Sequence, residues 1–76
     1  MDKKYIRQFT SLGLNIAYYR KKMGMTQEQL ASLIHVNRSH ISKIESPHLQ
    51  TQISLNTLFD IAVALEVEVS KLFEER

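Results

Sequence analysis

Apolar side chains recur every three or four positions along almost the whole of this chain, and no other feature constrains its fold as much. That spacing is the period of helices buried along one face. No segment reads as a strand, and Gly 2 with Pro 1 leaves few turns for an all-β fold. The expected class is therefore all-α. A chain of 76 residues has room for one core, so residues 1–76 are expected to form a single domain. At this size folding buries only a little over ~60% of the chain's surface. Cys 0 excludes disulfides, thiolate zinc sites and cysteine nucleophiles together. The core must suffice alone, or a second subunit must help it. No apolar run approaches the ~18 residues of a membrane span, and MDKKYIRQF lacks the apolar stretch of a signal peptide. A soluble cytoplasmic protein, with no membrane partner, is expected.

The net charge of +2 hides an asymmetry. Residues 1–45 carry eight basic side chains against three acidic ones, a balance of +5. Residues 46–76 carry two basic against five acidic, a balance of −3. A basic front with an acidic back suits a polyanionic partner on one side, although ordinary surface charge produces the same count.

Tyr5, Phe9, Leu12, Ile16, Tyr19 and Met23 define a first helix over about 5–23, stopped by Gly24. A second helix begins at Thr26, where Gln29 three residues on completes a capping box. Leu30, Leu33 and Ile34 are its apolar face, and it ends near His35. Asn37 is the expected N-cap of a third helix, with Ile41 and Ile44 inward. About three residues join these two helices, which forces a large crossing angle, and the small Ala31 suits the closest approach. Pro47 breaks the chain in a loop over 46–53. A fourth helix follows over 54–65, with Leu55, Leu58, Ile61, Ala62 and Leu65 on one face. A short fifth helix is expected over 70–75. Several apolar residues fall off these stripes, Leu14 and Tyr18 on the first helix and Phe59 and Val63 on the fourth, and the fifth adds Leu72 and Phe73; some are expected to meet the C-terminal helix and others to form a subunit interface. Leu14 and Tyr18 have no evident partner within the chain and are expected to be exposed, whereas Phe59 and Phe73 are expected to pack locally.

The words GMTQEQLA (24–31), VNRSHISKIE (36–45), SLNTL (54–58) and IAVALEV (61–67), in this order and spacing, resemble the phage repressor/Cro-type helix-turn-helix family of DNA-binding transcriptional regulators. The resemblance implies a compact five-helix domain whose third helix, about residues 37–46, enters the DNA major groove. Helical geometry agrees: with Ile41 and Ile44 inward, Ser39, Ser42 and Lys43 fall on the opposite face. Arg38 stands in the first turn, where a long side chain reaches past the helix end. Arg38, Ser39, Ser42 and Lys43 are the candidate base-contacting residues, with Arg38 first for a bidentate contact to guanine. A solvated basic helix face is the bland alternative. Thr26, Gln27, His40 and Lys22 are the candidate phosphate contacts. Gln27 matches a family position that often anchors phosphate, and the helix N-terminus around Thr26 favours an anion. Thr26 also serves simply as a cap. Lys3, Lys4, Arg7 and Lys21 add positive charge that an N-terminal arm could bring to DNA. Arg20 and Glu45 match the family's partly buried salt bridge between the first helix and the end of the third, so both are assigned structural roles with Ala31, Ile41 and Ile44.

Three departures from the family pattern stand out. His35 occupies a turn position usually held by glycine, and Glu66 replaces the usual glycine before Val67. The loop after Glu45 is longer than usual and carries no Lys or Arg, which argues against phosphate clamping there. The three histidines, His35, His40 and His48, lack metal-ligand spacing, and the serines show no nucleophile–base logic, so neither a metal, a cofactor nor an enzymatic activity is expected. The leading reading is a regulator that binds double-stranded DNA as a homodimer on a palindromic operator, with no small-molecule effector domain and a nucleoid-associated location. Restriction–modification controllers, phage-type repressors and antitoxins all look similar. The alternative is an antitoxin-like or coactivator-like protein-interaction module on the same fold.

Overall fold

A computed structural model describes residues 3–46 and 52–75, and contains four α-helices and two 3₁₀ turns. A 3₁₀ turn at Lys3–Tyr5 leads into α1 (Ile6–Lys22), followed by α2 (Gln27–Ile34), α3 (Arg38–Glu45) and α4 (Leu55–Leu65). The expected fifth helix is a second 3₁₀ turn, Val69–Phe73. Among the described residues there is no strand. Most of the loop over 46–53, with Pro47 and His48, lies outside the described residues, so the expectation about phosphate clamping there does too.

Local chemistry accounts for the helix ends. Thr26 Oγ1 accepts from the Gln29 N–H at 3.0 Å while Gln29 Oε1 accepts from the Thr26 N–H at 2.8 Å, completing the expected capping box of α2. Ser54 Oγ caps α4 by accepting from Thr57 N–H at 3.1 Å. Asn37 takes the N-cap position of α3, yet its side chain makes no cap hydrogen bond. Three helices end the same way. Beyond α1, Met25 N–H donates to the Arg20 carbonyl and Gly24 N–H to that of Lys21. Val36 and His35 repeat this pair of bonds on Ala31 and Ser32, and Val67 and Glu66 repeat it on Ala62 and Val63. This is the Schellman ending, and it places the residue after the helix in the left-handed region. Gly24 (φ 73°) meets the demand freely, while His35 (φ 61°) and Glu66 (φ 58°) meet it under strain.

The core is Leu12 and Ile16 of α1, Leu30 and Ala31 of α2, Ile41 and Ile44 of α3, Leu58, Ile61, Ala62 and Leu65 of α4, and Leu72. α2 packs chiefly on α3 and α4, and α1 packs on α3 and on the 69–73 turn. Four residues placed on apolar faces are exposed instead. Tyr5 and Met23 fall at the ends of α1, past the core. On α2, 100° steps centre the inward face on Leu30, Ala31 and Ile34, which turns Leu33 outward. Leu55, in the first turn of α4, points away from the core as well. Phe59 and Phe73, expected to pack locally, are half or nearly half exposed. Leu14 and Tyr18 are exposed as expected, and the Tyr18 ring meets Tyr19 edge-on at 5.0 Å between centroids.

Asn15 is a core residue that the apolar pattern does not reveal. Its side-chain nitrogen donates to the carbonyls of Leu72 at 3.0 Å and Glu74 at 2.6 Å, tying the C-terminal turn to α1. The strain at the two left-handed positions has a measurable consequence. Replacing His35 with glycine should raise the unfolding free energy by about 0.5–1 kcal/mol, because relief of the left-handed penalty exceeds the added entropy of the unfolded chain. Urea unfolding monitored by circular dichroism checks this; an unchanged or lower midpoint would count against a strained turn.

Candidate nucleic-acid interface

The site is built on α3, and its orientation depends on one buried ion pair. Arg20, near the end of α1, donates from Nε to Glu45 Oε2 at 2.7 Å and from Nη2 to Glu45 Oε1 at 2.8 Å. Its remaining terminal nitrogen, Nη1, donates to the Met25 carbonyl at 2.7 Å. Gln27, at the start of α2, donates from Nε2 to Glu45 Oε1 at 2.9 Å. Both charged groups are buried. One carboxylate at the end of α3 is thus held by α1 and α2 at once, and the guanidinium also fixes the turn between those helices. The hydrogen bond to Glu45 is the main reason the Arg20 pKa lies above the ordinary arginine value; burial opposes it, and the charge of Glu45 adds to it. Arg20 therefore stays charged, and its part of the linkage would be lost only at pH above the usual arginine range.

A second constraint acts beside it. A Cβ at Gly13 on α1 would run into the Ile44 carbonyl oxygen and would come within 3.3 Å of the Glu45 Cα. Glycine in a helix interior costs stability by itself, by about 1 kcal/mol relative to alanine. Here it lets the C-terminal end of α3 lie directly against α1. Ile41 and Ile44 fill the core below it, and Ala31 supplies the small side chain on α2.

With α3 so placed, Arg38, Ser39 and Lys43 are exposed. Ser42 and His40 are half-buried on the two flanks, so Ser42 is not squarely on the outer face. Thr26 and Lys22 are exposed, and Gln27 is half-buried because its amide is turned towards Glu45. Lys22 Nζ lies 5.8 Å from the centroid of the Tyr18 ring. Arg7, considered for an N-terminal arm, forms an exposed ion pair with Glu75 at 2.7 Å. The sequence points to Arg20 and Glu45 as a pair, but not to the contribution of Gln27 and the Met25 carbonyl, nor to the close approach at Gly13. Those depend on how three helices converge, which no spacing along the chain encodes.

Two short helices joined by a tight left-handed turn, with the second exposed and locked from behind, are the architecture of a helix-turn-helix protein of the repressor/Cro type. Residues 16–72 match the helix-turn-helix family, and the chain belongs to it. It is 35% identical over 65 residues to the HTH-type transcriptional regulator SinR of Bacillus subtilis (strain 168); the match covers 86% of this chain and 58% of the relative. SlrR of the same organism, also named an HTH-type transcriptional regulator, is 38% identical over 63 residues, covering 83% of this chain and 41% of SlrR. The chain thus spans about half the length of these curated relatives. Among solved structures, the restriction-modification controller protein C.AhdI from Aeromonas hydrophila superposes with a TM-score of 0.78 at 31% identity, covering 86% of this chain and 96% of that one. SinR, described as the master regulator for biofilm formation and solved in complex with DNA, superposes at 0.74 with 35% identity, covering 83% and 98%.

The buried pair predicts a non-additive response. Arg20→Met or Glu45→Leu alone should destabilise the fold by about 3–5 kcal/mol, because each leaves one buried charge unpaired. The double substitution should cost less than either single one. Denaturant midpoints of the three variants test this, and additive losses would contradict a mutually dependent pair.

Proposed function

We propose that this protein is a transcriptional regulator that reads a specific double-stranded DNA sequence with α3, acting as a homodimer on a palindromic operator. The observation that carries this reading is an exposed α3 bearing Arg38 and Lys43, clamped from behind by the Arg20–Glu45 pair. A buried clamp on a helix whose outer face carries exposed cations suits a reading head that must keep one pose. The relatives' names, which describe transcriptional regulators, and a related domain solved on DNA support it.

In this reading Arg38 reaches a guanine edge through its two terminal donors. Lys43, Ser39 and Ser42 take the remaining base contacts. Thr26 and Gln27 bring the N-terminus of α2 to a phosphate, where the helix dipole favours an anion. His40 and Lys22 contact phosphates on either side. These contacts fix register but carry no sequence information. One module of this size covers limited DNA surface, so two copies would supply affinity and specificity, with half-sites about one helical turn, ~34 Å, apart.

Selecting bound duplexes from a random DNA pool at two salt concentrations tests the proposal. An enriched inverted repeat is expected. Weak, salt-sensitive binding without enrichment would overturn it and favour the protein-interaction reading. Within the enriched site, Arg38→Ala should lower specific affinity by ~1–3 kcal/mol and relax the preference at one base position. Lys22→Ala should weaken binding to all sequences alike and flatten the salt dependence by about one phosphate contact. Titrations against the site and a scrambled duplex separate the two effects.

A further inference from the structure

α2, α3 and α4 each start on a residue with a good capping side chain, and one of the three caps goes unused. Thr26 and Ser54 accept the N–H three residues on, from Gln29 and Thr57. Asn37 stands in the same extended backbone conformation (φ −74°, ψ 146°) as those two, yet its amide makes no such bond. The backbone supplies the reason. α2 and α4 open with bonds that span four residues, from Leu30 N–H to the Thr26 carbonyl and from Leu58 N–H to the Ser54 carbonyl. α3 opens one residue tighter, with His40 N–H donating to the Asn37 carbonyl at 3.0 Å. That N–H is the one a capping side chain would take, and the main chain has already satisfied it. Asn37 is exposed, and among the described residues its amide meets no other partner.

We infer that Asn37 is a base-reading residue whose amide takes an adenine beside the guanine assigned to Arg38. The inference rests on the operator-reading role of α3, and it adds a second base to what that helix reads. Three points carry it. The first is complementarity. An asparagine amide presents a donor and an acceptor side by side. Adenine matches that pair in the major groove with its N7 acceptor and N6 donor, whereas guanine offers two acceptors there. The second is reach. A reading helix meets base edges with its N-terminal residues. A side chain as short as asparagine suffices at that end, while Lys43, more than a turn further along, needs its length. Arg38 is the next residue in the chain, so the two side chains fall on neighbouring base pairs. The third is charge. Asn37 is neutral and gains little from the phosphate backbone, which rewards cations whatever the sequence.

A helix normally draws on its N-cap side chain for stability. At Asn37 the tight first turn leaves that side chain to the groove. The same residue type that reads as a cap along the chain is therefore a reader in the folded molecule.

Two measurements test this. In the first, denaturant midpoints of Asn37→Ala and Ser54→Ala are compared with the parent chain. Ser54→Ala should lower the midpoint, as loss of a cap does, and Asn37→Ala should leave it unchanged. In the second, bound duplexes are selected from a random pool with the parent chain, Asn37→Ala and Asn37→Asp. The parent should enrich an A·T pair next to the G·C pair whose preference Arg38→Ala relaxes. Asn37→Ala should keep the guanine and lose the adenine alone, with affinity for the parent's site down by about 10- to 100-fold. Asn37→Asp has the same shape but only acceptors, and should move the preference from adenine to cytosine, whose N4 is a donor. Replacing the adenine by 7-deazaadenine removes N7; it should weaken the parent chain and leave Asn37→Ala untouched. An Asn37→Ala chain that loses stability as Ser54→Ala does would make the residue a cap and overturn the inference. Equal weakening on all sequences would overturn it too, by making Asn37 a phosphate contact. An enriched site indifferent to the base beside that guanine would reject Asn37 as a reader and leave the operator-reading role standing. A parent chain that enriches no sequence rejects both.

Discussion

The bidentate contact between Arg20 and Glu45 is the interaction on which the rest of the arrangement depends. Glu45 is the last residue of α3, Arg20 lies in the last turn of α1, and the third guanidinium nitrogen holds the carbonyl of Met25 in the turn before α2. Gln27 completes the set from the first residue of α2. A buried charge pair of this kind contributes little net stability against an apolar replacement, since desolvation offsets the attraction. What it supplies is geometric. A guanidinium and a carboxylate meet in one plane with two parallel hydrogen bonds, so the angle between α1 and α3 has little freedom. An isoleucine pair at the same place would allow the helices to slide.

Gly13 and the left-handed turns complete that geometry from the backbone side. Without a side chain at Gly13, the end of α3 approaches α1 closely enough for the ion pair to form at hydrogen-bond distance. His35 allows α2 to end and α3 to begin within three residues. The chain accepts local strain at His35 and Glu66 where glycine would be relaxed. The His35 turn stands between the buried residues Leu30 and Ala31 of α2 and Ile41 of α3, whose packing holds the two helices it joins.

The division of surfaces follows from the same packing. α3 turns its buried side to α1 and α2 and its cations outward. α4 packs chiefly against α2, with a long apolar strip uncovered. A single small domain thus carries a polar, basic face on one helix and an apolar face on another.

Much of this was legible in the residues alone. The 3.6-residue period marked four helices; Thr26 with Gln29 and the left-handed residues Gly24 and His35 marked their ends, because capping is decided within a few residues of chain. The ordered words around Ala31, Ile41 and Glu45 located α3 and its salt bridge. Convergence in space was not legible. The roles of Asn15, Gln27, Gly13 and the Met25 carbonyl depend on partners from 5 to 59 residues away. The same limit applied to Leu33, Leu55, Phe59 and Phe73. An apolar residue at a suitable spacing can face the core or the solvent, and only the packing of neighbouring helices decides which. Sequence by itself determined where the helices lie and which one carries the cations, since both follow from local spacing and charge. Tertiary structure alone decided the pose of that helix and the exposure of α4, because both arise where separate helices meet.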